Sequence, residues 1–319
     1  MRGLIMAGLI LVAAGLAMGE DAELARLKAA ASETKATLAI KQTTPKLKER
    51  EYQNTEFILD TGAAKYRLNY KSFAGAGAKD NGALTDGCGG YGMLAPHTFW
   101  YWNGFLTVEV AGQGYLYTGQ TQGVVRPLAT EGARVGYDLV FENDKGAAVV
   151  RTVALAGRDE LFISVSGRLK DGSKAALRTR FLGYPHGYSL PFDRWVHAAR
   201  QDVQGIAGKE TTAPLKLDDA SWVLLADHKL DPDGKKAGLL GLVYDRKAIT
   251  GATASTNNYS IKVNFNGPDA AEQRFLVYTF GPMKWEAARD KLAGVKDAAE
   301  LLDKAFEGLP PALDAKAGG

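Results

Sequence analysis

The chain alternates, and that constrains its fold more than any other feature. From Phe57 onward, apolar and polar residues trade places with a period of two. Tyr66, Leu68 and Tyr70 alternate with Arg67, Asn69 and Lys71. Tyr137, Leu139 and Phe141 alternate with Asp138 and Glu142. Leu161, Ile163 and Val165 alternate with Ser164 and Ser166, and Ile261, Val263 and Phe265 with Lys262 and Asn264. Successive side chains of a strand point to opposite faces, so each segment reads as a strand with one face buried. Trp222–Leu225, 238–244 and Phe275–Phe280 are apolar on both faces, which suits inner strands.

Turn signals punctuate these segments: Asn143-Asp144-Lys145-Gly146, Lys170-Asp171-Gly172, Asp231-Pro232-Asp233-Gly234 and Asn266-Gly267-Pro268. Many short strands with no helical pattern between them predict an all-β fold, a large antiparallel β-sandwich over residues 57–283. At 319 residues and 46% hydrophobic, the chain can fill such a core.

Helical spacing is expected only at the ends. Leu24, Leu27, Ala31, Thr34 and Leu38 step by three and four, predicting an N-terminal helix over 20–40, followed by a charged linker over 41–56 that contains Pro45. Trp285, Ala288, Leu292, Val295, Ala299, Leu302 and Phe306 predict C-terminal helices over 284–308. Gly294 divides them, and Asp297 and Glu300 form a capping box for the second. Residues 309–319 read as a disordered tail.

Residues 1–19 have the order of a secretory signal peptide: Arg2, an apolar run from Gly3 to Leu16, then Ala17-Met18-Gly19. The run is shorter than the ~20 residues of a bilayer span. The expectation is export to the periplasm or medium, with no membrane span after cleavage. The formal charge of +3 loses one arginine with that segment. Such a near-neutral chain has no electrostatic case for nucleic acid. The single cysteine, Cys88, excludes an internal disulfide and reads as a buried small residue.

Two stretches could carry chemistry. In GMLAPHTFWYWNGFLTVEV, residues 92–110, His97 precedes Phe99, Trp100, Tyr101 and Trp102. On one strand Trp100 and Trp102 point one way and Phe99 and Tyr101 the other. Only one of these aromatic faces can meet a sandwich core. The other packs under a helix or loop, or is a platform on which sugar rings stack.

In GYPHGYSLPFDRWVHAARQD, residues 183–202, Pro185, Gly187 and Pro191 make a long loop that carries Tyr184, His186, Tyr188, Arg194 and His197. Histidine and tyrosine can serve as acid and base, and arginine can hold a carboxylate at two points. Cleavage of an acidic sugar by elimination needs those parts. A loop whose rings pack and whose charges face water is the alternative.

The remaining signals lead nowhere. Gly167–Lys174, GRLKDGSK, lacks the Lys-Ser order of a phosphate loop, and Lys235 and Lys236 stand where calcium ligands would follow Asp231 and Asp233. No histidine pair has metal spacing and no Gly-x-Ser-x-Gly elbow occurs, so no metal, cofactor or hydrolase nucleophile is expected.

The run RTVALAGRDELFISVSGRLKDG, residues 151–172, resembles a strand pair of galactose mutarotase-like β-sandwiches. His97-Thr98-Phe99-Trp100 is similar to the Asn-His-Thr-Tyr-Phe segment of aldose epimerases, with Pro96 in place of the asparagine. The resemblance implies a large sandwich, a sugar-related role and a carbohydrate partner. It carries over neither a second catalytic histidine nor a catalytic glutamate.

Three function classes follow: a glycan-binding protein, a polysaccharide lyase or epimerase-like enzyme working through the 184–200 loop, and a non-catalytic cell-envelope structural protein. If the first two regions meet, Trp100, Tyr101 or Trp102 form the floor of a groove, and Tyr184, His186, Arg194 and His197 form its wall.

Overall fold

The computed structural model describes residues 34–47, 50–73, 79–80, 84–85, 90–96, 104–116, 121–187, 191–206, 209–217, 221–257, 259–267 and 272–313. Among them, strands dominate and the strands pair antiparallel. A nine-stranded sheet, the large sheet, runs in the order Val124–Ala129, Arg134–Glu142, Gly146–Leu155, Glu160–Leu169, Glu272–Thr279, Leu240–Tyr244, Trp222–Asp227, Arg194–Ala198 and Gln201–Gln204. A six-stranded sheet runs Thr211–Leu215, Gly251–Thr256, Ile261–Gly267, Leu177–Gly183, Leu106–Val110 and Gln113–Leu116. A third sheet is built on Ala36–Thr43, Arg50–Asp60, Lys65–Phe73 and Gly90–Ala95.

Both smaller sheets pack on the inner face of the large one. Tyr137 of the large sheet stacks on Phe57 of the third, with centroids 3.7 Å apart. Phe275 meets Phe181 edge-on at 4.9 Å, which joins the large sheet to the six-stranded one. Tyr66, Leu68, Leu139, Phe141, Ile163 and Val165, all picked out by alternation, are buried in this core. Each such side chain contributes about 1.5–3 kcal/mol by leaving water. The Tyr91 hydroxyl is satisfied inside it by Tyr137 at 2.6 Å and Thr152 at 2.8 Å.

The outer face of the large sheet is divided. Val153, Phe162, Leu224 and Leu276 pack beneath two helices, α1 (Trp285–Ala293) and α2 (Ala298–Phe306), through Ala288, Leu292, Leu302 and Ala305. The close approach depends on Gly241, where an added Cβ would lie 2.7 Å from Leu292 Cδ2. Gly294 caps α1 as expected of a helix end. The Asp297 side chain makes no cap bond to α2, so the expected capping box does not form.

The N-terminal expectations need correction. Residues 20–33 lie outside the described residues, and 36–40 are strand, not helix. Ala36 and Leu38 are buried in Ala36–Thr43, which pairs with Arg50–Asp60. The spacing of four from Thr34 to Leu38 suits a strand face as well as a helix stripe, and pairing with a neighbour decides between them. The expected linker 41–56 is likewise largely strand. Pro45 sits in the turn, its carbonyl accepting from Tyr52 N at 3.0 Å, and Lys41, Lys46 and Glu51 are exposed.

The tail is corrected too. Arg151 Nη1 donates to Pro310 O at 2.8 Å, and Arg126 Nη2 to Ala312 O at 3.1 Å. Residues 309–313 are therefore a strap laid on the outer face. No described helix is long and apolar enough to cross a membrane.

Candidate functional site

Strand Leu177–Gly183 pairs with Leu106–Val110 and opens directly into the loop that begins at Tyr184. Leu182 N donates to Phe105 O at 3.0 Å. The end of the aromatic stretch and the start of the histidine loop thus meet at one end of one sheet. Phe105 itself is core, packed edge-on against Phe181 at 5.4 Å. His97, Trp100, Tyr101, Trp102, Tyr188 and Cys88 lie outside the described residues.

Arg194 organises the loop rather than facing a ligand. It is fully buried, and its guanidinium donates to the carbonyls of Pro185, Gly187 (2.5 Å) and Tyr259 (3.1 Å). Asp227 Oδ2 lies 3.4 Å from its Nη1. Asp227 in turn accepts backbone N–H bonds from Asp193 (2.9 Å), Lys229 (2.9 Å) and Leu230 (2.8 Å). A buried charge persists only when paired and bonded in this way. One ion pair therefore fixes both the loop that carries His186 and the turn that carries His228.

Tyr184 is buried and meets Tyr259 edge-on at 5.1 Å; Phe192 meets Tyr259 at 5.4 Å. Tyr259 keeps 43% of its surface exposed. Nearby, His186 holds a left-handed backbone at φ 58°, and its Nδ1 is buried with no hydrogen-bond partner among the described residues. Burial lowers its pKa, opposed by Asp231 and Asp227. A strained, under-satisfied side chain is the sort of feature that gathers at functional sites.

His197 points to the other face of the large sheet. Its Nδ1 lies 2.8 Å from Asp202 Oδ1, and its Nε2 lies 2.9 Å from His228 Nε2. Trp195 stacks on His228 at 4.9 Å, and Trp285 stacks on His197 at 4.3 Å and on His228 at 4.6 Å. Arg289 covers Trp285 at 5.3 Å. Desolvation lowers the pKa of both imidazoles; Asp202 opposes the shift at His197, and His197 adds to it at His228.

An ionised Asp202 can only accept, so His197 Nδ1 carries the proton. Neutral His228 then donates from Nε2 to His197 Nε2. The chain orients His228, the partly exposed member, and makes His197 Nε2 a stronger acceptor for its N–H, which is the arrangement of an oriented base.

The structure thus brings together Tyr184, His186 and Arg194, and puts His197 with partners of its own. Sequence reasoning missed Tyr259, Asp202, His228 and Trp285. Asp202 is close in sequence to His197, but the other three come from separate elements that only the sheet order unites. No group of three or more candidate metal ligands occurs among the described residues.

No protein-family model matches the chain, and no curated protein matches it. Among solved structures, it is similar to a putative aldose 1-epimerase from Klebsiella pneumoniae subsp. pneumoniae MGH 78578, with 11% identity and a TM-score of 0.42, over 86% of this chain and 97% of that one. It is similar to the GH36 α-galactosidase AgaA from Geobacillus stearothermophilus, with 11% identity and a TM-score of 0.37, over 71% of this chain and 41% of that one. A TPR-domain containing protein from Parabacteroides distasonis ATCC 8503 has 10% identity and a TM-score of 0.46, over 82% of this chain and 56% of its own. The chain therefore spans less than two thirds of the galactosidase and of the TPR-domain protein.

Proposed function

We propose that this is an exported carbohydrate-binding β-sandwich protein that holds a glycan at the loop end formed by Tyr184, His186, Phe192 and Tyr259. One observation carries the reading. The Tyr259 ring is exposed yet fixed by edge contacts from Tyr184 and Phe192, over a loop pinned by Arg194. A rigid exposed aromatic gives large contact area at low entropic cost. Sugar C–H faces stack on such rings. A glycan array probed with the protein lacking residues 1–19 tests this: bound polysaccharide spots support it, and a blank array at high protein concentration refutes it.

A second reading, sugar acid–base chemistry of the lyase or epimerase kind, is favoured by the Asp202–His197–His228 chain alone. Appearance of ultraviolet-absorbing unsaturated product from acidic polysaccharides, abolished by His228→Gln, would establish it. No product from a broad panel would leave binding as the function.

A further inference from the structure

The outer face of the large sheet holds a second polar constellation, nearer the other end of its strands. Register sets Arg126 beside Asp138, Asp138 beside Arg151, Arg151 beside Ser164 and Ser164 beside Arg274. This is one polar residue per strand across five neighbouring strands. Asp138, Arg151 and Ser164 are buried. Arg126 Nη2 lies 2.6 Å and Arg151 Nε 2.7 Å from the Asp138 carboxylate, and Ser164 Oγ donates to Glu272.

On the same face, the positions beneath the helices are apolar: Val153, Phe162 and Leu276. A face that only had to seat a helix would be apolar throughout, because buried ionic groups are rarely better for stability than hydrophobic ones of equal size. Two members of the row, Arg151 and Arg274, instead line a cleft of about 650 Å³, within the range of small-molecule sites. Its walls are the turn at 172–174, α2 and the strap 309–313. The turn is fixed by Asp171, which accepts from Ser173 N at 2.9 Å and Ser173 Oγ at 2.6 Å.

The lining chemistry identifies the ligand class. Arg168, Lys174 and Arg274 face Glu272, Asp303 and Glu307, while Arg151 is already neutralised by Asp138. Fixed charge is close to balanced, so neither an anion nor a cation is favoured. What the cleft offers is a density of planar donors and acceptors, with Phe306, Leu309 and Pro310 beside them. Guanidinium and carboxylate each span a pair of neighbouring hydroxyls, and an apolar wall takes a ring face. The Arg274–Asp303 pair, 2.7 Å apart, involves an Asp303 that is 71% exposed, so it exchanges easily for ligand hydroxyls.

We infer that this cleft is a second sugar site, taking one neutral hexose unit, free or at a chain end. Its ligand class rests on the glycan reading above, but its location does not.

Saturation-transfer NMR with glucose, galactose and mannose, and glucuronate alongside, tests it on the full mature chain. Measured in the Tyr259→Ala background, which silences the loop-end site, the expected result is transfer to at least one neutral hexose that falls at least about tenfold when Arg274→Gln or Glu272→Gln is added. Lys174→Ala, on the exposed turn, serves if a sheet variant does not fold, and should also weaken the signal. Transfer to no neutral hexose, or to glucuronate alone, overturns the inference. So does a hexose signal that survives the cleft variants and is lost in Tyr259→Ala, although that outcome would leave the loop-end site standing.

Discussion

His197 and His228 share one proton: their Nε2 atoms lie 2.9 Å apart, and one of them must donate. Trp195 and Trp285 stack on the pair, and Asp202 holds its far end. The pair is built for two neutral rings. A proton added at His197 Nε2 sets two N–H groups against each other, and one added at His228 Nδ1 puts a cation among indoles, near Arg289.

Acid should therefore loosen the fold. Desolvation lowers the folded-state pKa of His197, His228 and His186. A group whose folded pKa is depressed contributes stability that is whole above its unfolded value, about 6.5 for histidine. That contribution shrinks as the pH falls through the folded value. Asp193, Asp227, Asp231, Asp202 and Glu286 oppose the shifts without reversing them. The Tm should fall as the pH drops from about 7.5 to about 5, with a shallower slope in His228→Gln. A slope unchanged by that substitution would remove the pair from the account.

Asp227→Ala should cost about 3–5 kcal/mol in urea denaturation, because it leaves the guanidinium of Arg194 buried without its counter-charge. It also frees three backbone donors that Asp227 now satisfies. A loss under about 1 kcal/mol would mean that the carbonyls around Arg194 suffice alone.

Asp138 allows a sharper test. Asp138→Leu alone should cost about 3–5 kcal/mol, since Arg151 stays buried. The double variant Asp138→Leu, Arg151→Met should recover most of that loss in the same titration. Simple additivity of the two single losses would contradict the view that the polar row is not there for stability.

Much of the sandwich was legible because alternation is a local property: Tyr66, Leu68 and Tyr70 need no partner to declare a face. The segment from 36 was misread because a spacing of four, as from Thr34 to Leu38, fits both a helix stripe and a strand face, and only the pairing of Ala36–Thr43 with Arg50–Asp60 separates the two. Arg194 looked like a ligand-binding arginine because composition cannot show that chain carbonyls consume its donors. Asp138 and Ser164 read as solvent-facing positions. Their burial depends on layers that the period does not encode: the turn, the helix and the strap over the outer face. Tyr259 stands in Asn-Asn-Tyr-Ser, a turn with no signal beyond its turn residues.

The central claim is that Tyr259 presents a fixed ring to a glycan. Titration calorimetry of a polysaccharide identified on the array, against wild type and Tyr259→Ala, measures this most directly. Removing the ring should weaken binding by about 1–3 kcal/mol, roughly five- to 150-fold, by analogy with aromatic stacking on other flat ligands. The Tm should change little, because the ring is 43% exposed. Equal affinity in the two proteins, with the fold intact, would contradict the account.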